Sequence, residues 1–135
     1  MRVERWGTET VGVWDGAVLD GAGAAGDLVG AAFSVGVEWV VLPVARLGAD
    51  FFALRTGVAG EIVQKCANYR LRLLVVGDIS AHTAASGALR DFVREANRGR
   101  HVWFADTAAD AVARLGGTPS RRPGGKAGAA APGDD

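Results

Sequence analysis

The sequence predicts an α/β fold, a small sandwich in which a mostly parallel sheet is covered by helices. Two apolar runs, residues 39–42 and 71–76, are typical of strands that are buried on both faces. Stretches with helical spacing alternate with these runs, which indicates parallel strands joined by right-handed crossovers. Residues 3–6 and 10–14 flank a short glycine-containing turn and indicate a hairpin that adds an antiparallel edge strand. The predicted order is β-β-α-β-α-β-α-β-α.

Each helix is predicted from apolar residues that recur about every 3.6 positions and from residues that favour helix ends. The predicted helices are residues 20–36, 56–69, 86–99 and 108–115. The remaining predicted strand is residues 101–105, between the last two helices. Thr56 and Ser86 are predicted N-caps, because their hydroxyl groups can accept a hydrogen bond from a helical amide. Gly99 is predicted to end the third helix.

The composition indicates one globular domain. Of 135 residues, 49% are hydrophobic, and residues 1–116 carry 12 Lys or Arg against 13 Asp or Glu. This near-neutral balance argues against a dedicated nucleic-acid binder. The single cysteine excludes an intramolecular disulfide and a Cys-rich zinc site, and it favours a reducing cytoplasm. The charged start is unlike a signal peptide, and no apolar run has the length of a membrane span.

The last part of the chain, residues 117–135, is predicted to be a disordered tail. It is rich in Gly, Pro and Ala and has no large apolar residue with which to form a core. Residues 1–116 are therefore the predicted domain. The basic residues of the tail could contact an anionic surface, or the tail only adds solubility.

The candidate site lies where the carboxyl ends of the parallel strands are expected, because ligands of such sheets bind at this edge. Arg55, Thr56 and Gly57 open the second helix, whose first N–H groups and positive dipole end favour an anion. Asp78 ends a buried strand, and His82 follows in the next loop. The candidate residues for binding a ligand or a partner are Arg55, Thr56, Gly57, Glu61, Lys65, Asp78 and His82.

The same polar residues also fit structural roles. Arg55 could pair with Asp50 or Asp78 and lock the turn. Glu61 and Lys65 lie four positions apart on the polar side of their helix, where a solvated ion pair is ordinary. Both interpretations remain open at the level of sequence.

No complete catalytic or metal-binding set is recognisable in the sequence. Cys66 falls on the apolar side of its helix, which predicts a buried and unreactive thiol. Neither His82 nor His101 has a Cys, His or carboxylate at metal-ligand spacing. We therefore expect no metal and no cofactor.

Two segments carry a resemblance to a known family. They are PVARLGADFFALRTGVAGEIVQKCANYRLRLLVVGDIS and SGALRDFVREANRGRHVWF, which cover about half of the chain. In these segments the chain is similar to the bacterial family called domain of unknown function 4180. The resemblance implies no activity, because none comes with the family name.

The element order also resembles the STAS domain of anti-sigma-factor antagonists and sulfate-transporter tails. That domain carries Asp-Ser-Ser-Gly at the turn that opens a helix, and the serine before the glycine can be phosphorylated. Here the turn reads Leu54-Arg55-Thr56-Gly57, so the resemblance implies Thr56 as the phosphoacceptor. Leu54 and Arg55 depart from the pattern, and an arginine there suits a bound anion or a salt bridge that holds the turn.

Two functions follow as hypotheses. The first is a non-catalytic, cytoplasmic, STAS-like regulatory or binding module that presents residues 55–60 and the following helix to a protein partner or a small anionic ligand. The alternative is a small enzyme, in secondary metabolism for example, in which Asp78, Glu61 or His82 transfers a proton beside Arg55. We expect no nucleic acid and no membrane as partners. Self-association as a homodimer would use exposed tryptophans, for which the candidates are Trp6, Trp14, Trp39 and Trp103.

Overall fold

The computed structural model describes residues 1–21 and 23–116, and in them it shows a five-stranded sheet with six helices. The strands are β1 (Arg2–Trp6), β2 (Glu9–Val13), β3 (Trp39–Pro43), β4 (Arg72–Val76) and β5 (Val102–Ala105). The helices are α1 (Ala24–Val35), α2 (Ala49–Phe52), α3 (Val58–Asn68), α4 (Ser80–Ala85), α5 (Gly87–Arg98) and α6 (Ala108–Arg114). Short 3₁₀ turns, Val44–Arg46 and Leu54–Thr56, flank α2.

The strands lie side by side in the order of the sequence, β1-β2-β3-β4-β5. β1 and β2 pair antiparallel, and the other neighbouring strands pair parallel. The hairpin turn spans two residues between the paired Trp6 and Glu9, and Gly7 takes a φ of 66° in it. Glycine adopts this left-handed conformation without a steric penalty, and such turns match the twist of the two strands.

The helices cover the two faces of the sheet unequally. α1, α3 and α5 bury Leu28, Ile62 and Leu89 in the larger apolar cluster on one face. α6 buries Ala111 in a second cluster on the opposite face, together with Leu74 of β4. Because side chains alternate along a strand, both faces of β3 and β4 are apolar, which explains their continuous hydrophobic sequences.

The predicted fold class is confirmed: the chain is a small, mixed α/β sandwich with a mostly parallel sheet and an antiparallel edge pair. The sequence patterns missed α2 and α4, which have only four and six residues and are too short to show a helical period. The first helix also begins later than predicted, at Ala24, after Gly23 in the left-handed region.

The predicted caps at both ends of α5 are confirmed, but the prediction of Thr56 as the N-cap of α3 is wrong. The Ser86 hydroxyl accepts a hydrogen bond from the Leu89 N–H at 3.1 Å, and Gly99 is the C-cap. At α3, Gly57 occupies the N-cap with a φ of 81°, and Thr56 lies one position earlier. The helix therefore starts from a glycine that turns the chain, with the threonine still adjacent to it.

Of the four tryptophans considered as exposed contacts for self-association, Trp14 and Trp39 are buried, so that expectation is wrong for them. Trp6 and Trp103 are half-buried. The predicted tail at 117–135 lies outside the described residues. Among residues 1–21 and 23–116, no helix has the length and apolar character that crossing a membrane would require.

Candidate functional site

Two open clefts lie on either side of α4, close to the carboxyl ends of the parallel strands. The edge cleft, of about 580 Å³, lies at the ends of β4 and β5 and is bounded by α5 and α6. The helical cleft, of about 520 Å³, lies between α2, α4 and the start of α5. The position of the edge cleft agrees with the general rule for open α/β sheets.

The edge cleft begins with Asp78, which the chain reaches through Gly77 at a φ of 140°. The Asp78 Oδ1 atom accepts a hydrogen bond from the Ser80 N–H at 2.9 Å. This bond lowers the pKa of Asp78 below its usual range, because it stabilises the charged form. A lowered pKa makes Asp78 a weaker proton acceptor than an ordinary aspartate.

The arginines of the edge cleft hold the surrounding helices together. Arg90 donates to the Thr83 carbonyl oxygen at 2.8 Å and so ties α5 to α4. Arg114 donates to the Asn97 carbonyl oxygen, and its guanidinium lies 4.2 Å from the centre of a Trp103 ring. Neither arginine forms an ion pair with a carboxylate of the described residues.

The helical cleft brings Arg55 and His82 to one surface. The His82 ring is stacked on Phe52, with ring centroids 4.1 Å apart, and both rings line the cleft. Alanine side chains form much of the remaining wall. Arg55 is exposed and forms no ion pair with Asp50, Asp78 or any other described acid, so the alternative of a locking salt bridge is wrong.

The turn beside the helical cleft is held by the Thr56 side chain. Its hydroxyl lies 2.6 Å from the Asp50 carbonyl oxygen and 2.8 Å from that of Ala53. The same oxygen accepts a long hydrogen bond of 3.3 Å from the Val58 N–H. Thr56 therefore joins the end of α2 to the start of α3.

The predicted site residues are divided among three places. Arg55 and His82 line the helical cleft, and Asp78 lines the edge cleft. Glu61 and Lys65 are exposed on α3, away from the lining of both clefts, and they form no ion pair with each other. Thr56 and Gly57 shape the turn between α2 and α3.

Sequence reasoning missed the aromatic and basic residues that shape both clefts. Neither Phe52 nor Arg114 belongs to a recognisable motif. Phe52 contacts His82, which lies in a helix that was not predicted, and Arg114 contacts Trp103, which lies in a different element of the chain. The position of Arg114 in the last turn of a short helix was visible in the sequence. It did not point to a cleft, because basic residues are common at helix ends, where they interact favourably with the helix dipole.

The sulfur and metal chemistry of the described residues is limited. Cys66 is buried, and burial raises the pKa of its thiol to about 11, so the nucleophilic thiolate is scarce at neutral pH. Within residues 1–21 and 23–116, no group of three or more His, Cys, Asp or Glu side chains is placed to hold a metal ion.

Comparison with known proteins gives one family. No curated protein matches the chain, and no solved structure matches it. The model of the family described as "Domain of unknown function (DUF4180)" matches residues 12–115. This range includes the candidate residues of the two clefts and of the turn, which are Arg55, Thr56, Gly57, Asp78 and His82. The chain therefore belongs to the DUF4180 family.

Proposed function

We propose that the chain is a non-catalytic module that binds an anionic group at the helical cleft. The observation that carries this proposal is Arg55, an exposed guanidinium without an acidic partner among the described residues. It shares its cleft with the stacked ring of His82. A planar guanidinium can bind a carboxylate or a phosphate through two hydrogen bonds, which gives both strength and orientation.

The remaining wall suggests what the anion is attached to. Phe52 and several alanines provide apolar surface beside Arg55. An amphipathic anion fits this chemistry: its charged group lies on Arg55, and its apolar part lies against the alanines. The group belongs either to a small ligand or to an acidic segment of a protein partner, with residues 55–60 and α3 as the neighbouring surface.

We propose further that the module has a regulatory role. We place the module in the cytoplasm, with STAS-like architecture and self-association as a homodimer, and we keep Thr56 as a candidate phosphoacceptor. Thr56 is exposed, and its hydroxyl holds the turn next to Arg55. A phosphate there would replace these hydrogen bonds with negative charge and would change the surface that Arg55 presents.

No specific observation favours the alternative of a small enzyme. Asp78 lines a different cleft from Arg55 and His82. Glu61 lies on the outer surface of α3. Proton transfer beside Arg55 would therefore depend on His82 alone.

The test is ligand-induced stabilisation of the full chain and of two arginine variants. Phenyl phosphate and benzoate serve as amphipathic anions, and inorganic phosphate serves as the anion without an apolar part. A ligand at about ten times its Kd should raise the free energy of unfolding by ~1.4 kcal/mol. We expect this for the wild type and for Arg100→Ala, which removes an exposed loop arginine outside the cleft, but not for Arg55→Ala.

The outcomes separate the two kinds of partner. A larger effect of phenyl phosphate than of inorganic phosphate, lost only in Arg55→Ala, supports the amphipathic anion. If no small anion acts but an Arg55-dependent partner is captured from cells, the acidic protein segment is supported. Equal stabilisation of all three proteins would rule out the helical cleft as the binding site.

A further inference from the structure

The two edges of the sheet differ in how their outward backbone groups are satisfied. At β5, the outward N–H of Phe104 donates to the Asn97 side chain at 2.8 Å, and Arg114 binds the backbone carbonyl of the same Asn97. The outer edge of β1 has no such covering group among the described residues, and no described strand pairs with it. An open edge of this kind is a template for another strand.

The register of the hairpin shows which residues of β1 face outward. Trp6 and Glu9 close a two-residue turn, so they form a hydrogen-bonded pair, and hydrogen-bonded pairs then alternate along the ladder. The backbone groups of Arg2, Glu4 and Trp6 therefore point to β2. The same alternation holds on the other strand of the hairpin. Val13 is paired with Arg2, and the next residue, Trp14, directs its N–H away from β1, to the Val41 carbonyl oxygen of β3. Val3 and Arg5 are left with their N–H and C=O groups pointing out of the sheet.

We propose that β1 of one copy pairs antiparallel with β1 of a second copy, with the two-fold axis at Val3. Each Val3 would exchange two backbone hydrogen bonds with Val3 of the other copy, and the two sheets would become one continuous sheet. The proposal specifies the homodimer included in the proposed function, but it does not depend on the helical cleft.

Charge selects this register among the alternatives. Directly opposite residues of an antiparallel pair lie on the same face of the sheet, whereas successive residues of a strand alternate between faces. The two-fold axis must therefore lie at one residue of β1, which is then opposite its own copy. An axis at Arg2, Glu4 or Arg5 would place two like charges opposite each other, and an axis at Trp6, the last residue of β1, would leave most of the strand unpaired. An axis at Val3 instead places Arg2 of each copy opposite Glu4 of the other and brings together two valines that are each 49% exposed in one copy.

Within one copy, the side chains of Arg2, Glu4 and Trp6 are already joined by hydrogen bonds. Arg2 donates to one oxygen of Glu4, and the Trp6 indole N–H donates to the other at 2.8 Å. The guanidinium and the carboxylate therefore lie along the same face of β1. In the dimer they would form a square of alternating charges. An edge with charges of one sign would repel a second copy, whereas this edge is complementary to itself.

The main test measures the mass of the full chain by light scattering and sedimentation over a range of concentrations. The wild type should form a dimer. Glu4→Arg should raise the dimer dissociation constant by about tenfold or more, because two favourable pairs become repulsive. Arg2→Glu should do the same, whereas the double swap Arg2→Glu with Glu4→Arg should restore the dimer. Arg100→Glu changes the net charge as Arg2→Glu does, so it is the control for that variant and should stay dimeric.

A second test reports the register. Val3→Cys should form a disulfide between copies under mild oxidation, whereas Arg5→Cys, whose opposite residue would be Met1, should not. The native Cys66 is buried and gives little background. A wild type that is monomeric at every concentration would overturn the proposal. So would dimers that persist in both single charge variants while circular dichroism shows them folded, or equal cross-linking at Val3→Cys and Arg5→Cys.

Discussion

The ring of His82 lies almost flat on the ring of Phe52, with centroids 4.1 Å apart and planes 10° from parallel. This contact joins α4 to α2, the two helices that the sequence patterns did not predict. No residue within α4 is buried. The helix therefore depends on this stack, on the Arg90 bond to the Thr83 carbonyl and on the buried Ile79 that precedes it.

Removal of the stacked ring should destabilise the protein. We expect His82→Ala to lower the free energy of unfolding by ~0.5–1.5 kcal/mol, the usual contribution of an aromatic pair, and His82→Phe to keep most of it. Urea unfolding measures the change. His101→Ala, at an exposed histidine outside any ring pair of the described residues, is the control and should match the wild type. Wild-type stability in His82→Ala would show that the stack contributes nothing.

The Thr56 hydroxyl should be worth about as much as an ordinary side-chain hydrogen bond. Thr56→Ala leaves the carbonyl oxygens of Asp50 and Ala53 without this donor and should cost ~0.5–1.5 kcal/mol. Thr56→Ser keeps the hydroxyl and should lie close to the wild type in the same denaturation experiment. Equal loss in both variants would assign the effect to the methyl group instead.

Gly77 should not accept a side chain. A Cβ atom built there would lie 2.8 Å from the Cβ and Cγ2 atoms of Val44, and the φ of 140° disfavours any L residue. Gly77→Ala should therefore cost ~1–3 kcal/mol, measured by urea unfolding. The matched control is Gly30→Ala in α1, which has open space around its Cβ position and should stabilise by up to ~1 kcal/mol.

The double variant Gly77→Ala with Val44→Ala separates the two causes of this cost. If steric contact dominates, the two substitutions should be less destabilising together than the sum of the single changes. Strict additivity would mean that the backbone conformation at Gly77 accounts for the loss, and a neutral Gly77→Ala would contradict the packing described here.

The hydrogen bond of Asp78 should appear in the pH dependence of stability. Its pKa is lowered in the folded state by the Ser80 N–H, so its contribution is present above the unfolded value of about 3.9 and is lost as pH falls through the lower folded value. Asp78→Asn keeps an oxygen acceptor but does not ionise. The difference in Tm between the wild type and this variant should therefore shrink from about pH 5 to about pH 2. Parallel curves would show that Asp78 does not contribute in this way.

Much of the architecture was predictable because it depends on local patterns. The apolar runs of β3 and β4 indicated strands buried on both faces, and the Ser86 hydroxyl and Gly99 marked the ends of α5. These features depend on residues within a few positions of each other. Thr56 was placed one residue away from its role, because a glycine that can adopt positive φ follows it and takes the N-cap.

The clefts, by contrast, depend on contacts between residues that are distant in the chain. Nothing local to Arg55 indicates that Phe52 and His82 share its surface, or that Asp78 faces the opposite side of α4. Periodicity reports which side of an element is buried, but α2 and α4 are too short to have a period, and their packing decides where each polar residue lies. The fold class therefore follows from the sequence, whereas the grouping of the candidate residues follows only from the tertiary structure.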